Sequence, residues 1–352
     1  KFDSYFQKEY LPKCRQDFGY GTLPNGKKWY RYFIKVNTNT NKSPEEIHKV
    51  GLSEVARIQK EMMKIKERMN FKGDFKSFLK FIVDDPSMYF KNPKDAIEAF
   101  QNVRKKIDGL IPNYFNLVPK TDYQVVEAEN RDASAASYSS PTEMKTYGRF
   151  VVNTLNLKSN TIPGVTTLSL HEAIPGHHFQ LALAFELKNT ITEYQRKVFN
   201  SNAFVEGWAL YAEYLGREMG LFKDDVQYLG HLSDEMLRAC RLVVDTGIHA
   251  KGWSRQKAID FMAAHLASDM RDIESEVERY SVWPGQALGY KIGQLKIIEL
   301  RKKAENALKN QFDIKKFHDL VLGQGTLSLF VLEKRVNQWI VEQKKGKTVS
   351  KI

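Results

Sequence analysis

Cysteine is nearly absent from this 352-residue chain: Cys14 and Cys240 stand alone and far apart. Neither a zinc finger, whose ligands need close and fixed spacing, nor a disulfide framework can be built from them. Two unrelated thiols is the simpler reading, and one long-range disulfide is the alternative if the protein is exported. Long apolar runs are also missing. None reaches the roughly 18 residues that a membrane-crossing helix needs, so no integral membrane segment is expected. No leader sequence is visible, but Lys1 is not a natural start, which leaves room for an upstream segment. Internal repeats and low-complexity stretches are absent as well. Acid is in deficit: 54 Lys and Arg face 42 Asp and Glu, for a net charge of +12. The basic residues are spread out, with small clusters at Arg104–Lys106, Arg301–Lys303 and Lys344–Lys347. Aromatics do not interleave with a dense basic stripe, so a solvated basic surface is expected rather than a nucleic-acid partner.

What is present reads as an ordinary globular composition, 42% hydrophobic and 27% charged, over a length that allows one large domain or two smaller ones. Ser43-Pro44-Glu45-Glu46 is a helix start: a serine cap, proline at the first helical position and acids in the first turn. From there to about Met69, Ile47, Val50, Val55, Ile58, Met62 and Ile65 form one apolar stripe, as a buried helix face requires. Asn92-Pro93 starts a second helix. Tyr123–Glu129 and Tyr147–Asn153 hold β-branched and aromatic residues and read as strands. The segment Ala133–Pro141 between them, rich in Ala and Ser, reads as a loop. Helical patterning resumes near Val165 and persists to about Gln343. The expected fold is mainly α, a large helical fold with a small antiparallel β-sheet beside the helix that carries the chemistry. It forms one catalytic region over 1–352, with a helical segment 1–120, a sheet 121–160 and a helical site segment 161–352.

The chemistry concentrates in Leu168–Gln180, where His171-Glu172 is followed by Pro175-Gly176-His177-His178. A zinc hydrolase needs neutral nitrogen or anionic oxygen ligands, one open coordination position, and a base beside it. The usual helical solution spaces two histidines four apart, with a glutamate after the first. Here proline occupies that fourth position, and the next histidines lie six and seven residues on. Along an ideal helix they would be about 9 to 10.5 Å from His171, too far to share one ion. Pro175 removes a helical hydrogen bond and Gly176 frees the backbone, so a local bulge could return a histidine to the ion. His177 directly follows the glycine and is the favoured second ligand; His178 remains the alternative, with the other histidine orienting a ligand or facing substrate. Glu206 lies in an apolar, aromatic helical stretch where an unpaired carboxylate is costly, and is the candidate third ligand. Glu213, seven residues on, is placed to orient a ligand histidine.

At these residues the chain resembles a bacterial family known as uncharacterised-domain family 885. The likeness runs over nearly the whole chain. It includes Leu23-Pro24-Asn25-Gly26, the Ser43–His48 helix start, His171–Gln180, Glu206-Gly207-Trp208-Ala209, Asp245–His249, Arg279-Tyr280 and Pro284–Gly293. That family is similar to the helical zinc peptidases whose third ligand is glutamate, such as the angiotensin-converting-enzyme and thimet-oligopeptidase groups. The resemblance implies a helical peptidase fold and a chain that is the C-terminal, catalytic part of a longer protein. It also implies a periplasmic or cell-envelope location.

The expected reaction is hydrolysis of a peptide substrate with one zinc ion on His171, His177 and Glu206, and Glu172 as general base. The resemblance suggests Tyr290 as donor to the developing oxyanion; His249 is a second candidate, and Arg279 a holder of a substrate carboxylate. In similar peptidases an edge strand beside the metal helix pairs with the substrate backbone, a role expected here of the strand carrying Tyr147 and Arg149. Two other classes share these residues: a zinc hydrolase of non-peptide amides or esters, and a non-catalytic helical binding protein with a residual metal site.

Overall fold

The computed structural model describes residues 1–346 apart from 16, 132, 143, 188, 189 and 198. The chain runs through α1 (Phe2–Tyr5), α2 (Gly26–Thr38), α3 (Pro44–Arg68), α4 (Phe75–Asp84) and α5 (Pro93–Asp108) before the sheet. The sheet consists of β1 (Tyr123–Glu127), β2 (Ala136–Ser139) and β3 (Gly148–Val152). Then come α6 (Val165–Leu168), a π-helical turn at Ser169–Ala173, α7 (His177–Glu186), α8 (Glu193–Lys197), α9 (Asn202–Glu218) and α10 (Asp225–Lys251). The chain closes with α11 (Arg255–Ala263), α12 (Met270–Val282), α13 (Leu288–Leu308), α14 (Ile314–Leu322) and α15 (Leu329–Lys344). The fold is mainly α with a small sheet, as the sequence predicts.

Local chemistry sets several of these elements. Ser43 and Glu46 form a reciprocal capping box at the start of α3, which satisfies two orphan backbone donors. The expected stripe of α3 is buried except Val50, which is half-buried. It packs on α10, the longest helix among the described residues, in a core that includes Ile58, Met62, Met236 and Val243. A second core, containing Phe150, Leu170, Phe204, Trp208 and Leu332, joins the sheet to α9, α13 and α15. Helices α9 and α13 cross so closely that a Cβ on Gly293 would stand 1.9 Å from the Ala203 carbonyl oxygen. Glycine at this crossing lets the two backbones meet and brings the segments carrying Glu206 and Tyr290 side by side. The rotation of α13 is fixed by Lys291, fully buried, whose Nζ lies 2.7 Å from Glu235 Oε1 and 3.0 Å from Glu54 Oε2. Removing both acids would strand a buried charge.

Two sheet expectations are corrected. The sheet is mixed: β1 pairs with β3 in parallel, and β2 pairs with β3 antiparallel, in the order β1-β3-β2. The segment read as a loop contains β2. Consequently the strand with Arg149 is central, paired on both sides, and the expectation of an edge strand there fails. Cys14 and Cys240 are not joined; Cys240 is buried and Cys14 half-buried.

Candidate metal centre

The local sequence Leu168–Gln180 folds as two helical pieces around a kink. The π turn Ser169–Ala173 widens the helix at His171, as such turns often do at functional sites. Ile174 then leaves the helix in an extended conformation and α7 restarts at His177. At Gly176 a Cβ would stand 1.9 Å from the His171 carbonyl oxygen and 2.3 Å from that of Leu170, so only glycine fits the turn. Trp208 on α9, fully buried, donates its Nε1–H to the Pro175 carbonyl at 2.8 Å and pins the kink.

The kink brings His177, six residues past His171, back to the same point. His177 Nε2 lies 3.4 Å from Glu206 Oε2, and His171 Nε2 lies 3.6 Å from that same oxygen. One ligand atom from each residue falls within 4.8 Å of the others. His171 Nδ1 donates to Glu213 Oε1 at 2.7 Å, which fixes the imidazole and leaves Nε2 as a lone pair when the ring is neutral. Arg238 on α10 stands behind Glu213, with Nη2 at 3.9 Å. Burial opposes ionisation of Glu213, and Arg238 and His171 outweigh it, so its carboxyl is held below the usual range.

The donor set fits a divalent cation. Glu206 Oε2 is buried and has no hydrogen-bond partner among the described residues, although two ring nitrogens face it. A buried carboxylate oxygen that faces two ring nitrogens without a hydrogen bond is unfavourable unless positive charge lies between them. The same demand appears in the ionisation of these groups. Burial would depress the His171 pKa, but Glu206 and Glu213 push it up to about 10. Burial would raise that of Glu206, but His177 and His171 hold it far below the usual carboxylate range. Either a proton or a metal satisfies the cluster, and two imidazoles plus one carboxylate are the donor chemistry of zinc.

Glu172 is half-buried beside His171 and has no hydrogen-bond or ion-pair partner among the described residues. Tyr290 lies close enough to Glu206 that burial first, and that carboxylate second, raise its pKa. Its ring stacks under the Arg241 guanidinium at 4.6 Å.

Other expected site residues are placed elsewhere. His178 is outside the cluster: its Nδ1 lies 2.9 Å from the Tyr138 hydroxyl, and burial lowers its pKa to about 4. The role expected of His249 is corrected. Both of its ring nitrogens are spent, Nδ1 accepting from the Tyr20 backbone N–H at 3.1 Å and Nε2 donating to the Tyr280 carbonyl at 2.9 Å. Arg279 is likewise committed, to Glu276 through Nε and Nη2 and to Gln286 through Nη1, so it offers no open fork for a substrate carboxylate. Tyr147 is exposed just before the central strand, and Arg149 lies 3.5 Å from Glu129. Sequence reasoning missed Arg238, Arg241 and Tyr138. The two arginines, three residues apart in the otherwise apolar run around Cys240, carried a signal: such charges are costly in a core without acidic partners.

The family model described as "Bacterial protein of unknown function (DUF885)" matches residues 1–336. A crystal structure of "the putative lipoprotein from Colwellia psychrerythraea" is similar at 34% identity and a TM-score of 0.91, covering 95% of this chain and 59% of that one. A "putative lipoprotein of unknown function from Shewanella oneidensis" shares the fold at 24% identity and a TM-score of 0.76, covering 96% of this chain and 62% of the other. The chain thus spans about three fifths of the length of these solved relatives. No curated protein matches the sequence.

Proposed function

This chain belongs to the bacterial family of proteins of unknown function DUF885, and within it we propose zinc-dependent hydrolysis of peptide bonds with Glu172 as general base. The observation that carries the proposal is the convergence of His171, His177 and Glu206 beside an uncommitted Glu172. A purely structural metal site has no use for such a carboxylate.

His171 and His177 would hold the ion through Nε2 and Glu206 through its carboxylate. Bound there, zinc would supply Lewis acidity, acidifying water and polarising a carbonyl. Glu172 takes the proton of the attacking water and delivers it to the leaving amine, a contribution of about 10²–10⁴ in rate. Tyr290 donates a hydrogen bond from its hydroxyl to the oxyanion that develops on the substrate carbonyl. Arg241, stacked on the Tyr290 ring, holds that ring in place. Glu213 keeps His171 in the tautomer whose Nε2 is a donor lone pair. We read the lipoprotein descriptions of the two solved relatives as support for a cell-envelope location.

The test is a panel of peptides and esters assayed with and without chelator on the parent and Glu172→Gln. The expected result is chelator-sensitive peptide cleavage in the parent, and bound zinc without cleavage in the variant. Full activity in the variant would remove the mechanism; cleavage of esters alone would change the substrate class.

A further inference from the structure

The turn between α12 and α13 carries Gln286, half-buried and one turn's length before Tyr290. Asn202 opens α9, one turn before Glu206. The two amides meet. Asn202 Nδ2 donates to the Gln286 main-chain carbonyl at 2.7 Å, and Gln286 Nε2 donates to Asn202 Oδ1 at 3.4 Å. Gly289 makes room for this clamp, since a Cβ there would stand 2.3 Å from Asn202 Nδ2. The starts of α9 and α13 are therefore tied together, just ahead of Glu206 on one and Tyr290 on the other.

The Gln286 amide is not free to turn over. Arg279 Nη1 donates to Gln286 Oε1 at 2.8 Å. A guanidinium has only donors, so the amide oxygen must face Arg279 and the NH₂ must face away from it. One hydrogen of that NH₂ goes to Asn202. The other reaches Tyr290: burial, the largest effect, raises the Tyr290 pKa, and a hydrogen bond from the Gln286 side chain works against it. An amide NH₂ can only donate, so it occupies a lone pair of the Tyr290 oxygen and leaves the phenolic proton for another acceptor. Arg279 is itself held by Glu276, Nε to Oε1 and Nη2 to Oε2, each at 3.2 Å. The same carboxylate accepts from Arg241 Nη2 at 2.9 Å, and Arg241 is the guanidinium stacked on the Tyr290 ring. Burial opposes ionisation of Glu276, but Arg241 and Arg279 outweigh it and hold its pKa down to about 2. One charged acceptor thus fixes the Tyr290 ring through Arg241, and its hydroxyl through Arg279 and Gln286.

We propose that Gln286 is a positioning residue that commits the Tyr290 hydroxyl to donate its hydrogen bond to the substrate. The inference rests on the peptidase reading and deepens it, by naming what decides the direction of that hydrogen bond. Gln286, Arg279 and Glu276 touch no reacting atom; they act through Tyr290. An acceptor in place of the Gln286 NH₂ would draw the phenolic proton to itself, and the oxyanion would lose its donor. Arg279 then has a task at the site after all: it orients an amide of the protein rather than a carboxylate of the substrate.

Two variants separate direction from mere packing. Gln286→Glu keeps the acceptor for Arg279 and turns the NH₂ into a second acceptor; Gln286→Met removes both groups. Both keep the main-chain carbonyl that Asn202 holds. Each is made in the parent and in Tyr290→Phe, and assayed for bound zinc, thermal midpoint, and kcat and KM on a peptide. Gln286→Glu should lower kcat about 10²-fold, close to the loss in Tyr290→Phe. Gln286→Met, which frees the hydroxyl without reversing it, should lower kcat about tenfold, the worth of one hydrogen bond. KM and zinc content should stay at parent levels. In the Tyr290→Phe background neither substitution should cost anything further. A role in packing alone predicts the opposite order, because glutamate keeps the Arg279 contact and methionine loses it. An effect of the added charge alone predicts a further loss from Gln286→Glu in Tyr290→Phe. Either result, or an unchanged kcat in both variants, would overturn the inference while leaving the peptidase reading intact. Failure of the parent to cleave any peptide would instead sink that reading, and the inference with it.

Discussion

Glu213 accepts a hydrogen bond from His171 Nδ1 at 2.7 Å, two helical turns along α9 from the carboxylate of Glu206 that faces the same imidazole. In the proposed centre one helix therefore supplies both a ligand and the group that orients another ligand. Glu213→Gln should weaken zinc binding by roughly 10–100-fold while leaving the fold intact. Competition against a chelator of known affinity measures it; unchanged affinity would remove Glu213 from the centre.

Tyr290→Phe keeps the ring stacked on Arg241 and removes one donor. The expected loss is about 10²–10³ in kcat with little change in KM or bound zinc, as for a group that acts in the transition state. A change confined to KM would make Tyr290 a substrate-holding group instead.

The turn leading into the helix of Tyr290 is itself held from α10. Asp245, fully buried, accepts from the Tyr30 hydroxyl at 2.6 Å and from the Gly285 N–H at 3.0 Å, and His249 holds the Tyr280 carbonyl on the other side of that turn. Asp245→Asn should lower kcat by less than Tyr290→Phe, and combining the two should cost no more than Tyr290→Phe alone. Additive losses would show that Asp245 acts elsewhere.

Gly176→Ala places a methyl against the carbonyls of His171 and Leu170. The turn must open, so zinc binding should be lost and thermal stability should fall by several degrees. Calorimetry with metal analysis checks both, and a fully metallated, equally stable variant would contradict the kink.

His318 sets a pH dependence. It donates from Nδ1 to the Tyr114 carbonyl at 2.8 Å and accepts at Nε2 from the Tyr211 hydroxyl at 2.9 Å, and burial lowers its pKa to about 3. The unfolded chain takes up this proton near pH 6.5 and the folded chain only near 3. Stability is therefore lost as pH falls between those values. His318→Gln should flatten the slope of stability against pH in that window, measured by denaturant titrations; an unchanged slope would refute the assignment.

The site was legible where its logic is local. The cap of α3, the apolar stripe behind it and the histidine cluster of Leu168–Gln180 each follow from neighbours in sequence. The convergence of Glu206 on His171 and His177 could be read because a lone carboxylate in an apolar helix calls for a partner. The preference for His177 over His178 followed from the freedom of the adjacent glycine. What failed depends on distant partners. β2 has four residues, and its pairing with β3 makes it a strand, not its composition. The spent nitrogens of His249 belong to Tyr20 and Tyr280, invisible without the fold. Arg279 was different: Glu276, three residues earlier on the same helix, gave a local reason to expect a committed guanidinium.

Anomalous scattering at the zinc edge from crystals of the zinc-loaded protein tests the central claim most directly. The account predicts one strong peak about 2.0–2.2 Å from His171 Nε2, His177 Nε2 and a Glu206 oxygen, with Glu172 unligated and His178 still bonded to Tyr138. No peak there, or a peak ligated by His178 in place of His177, would contradict it.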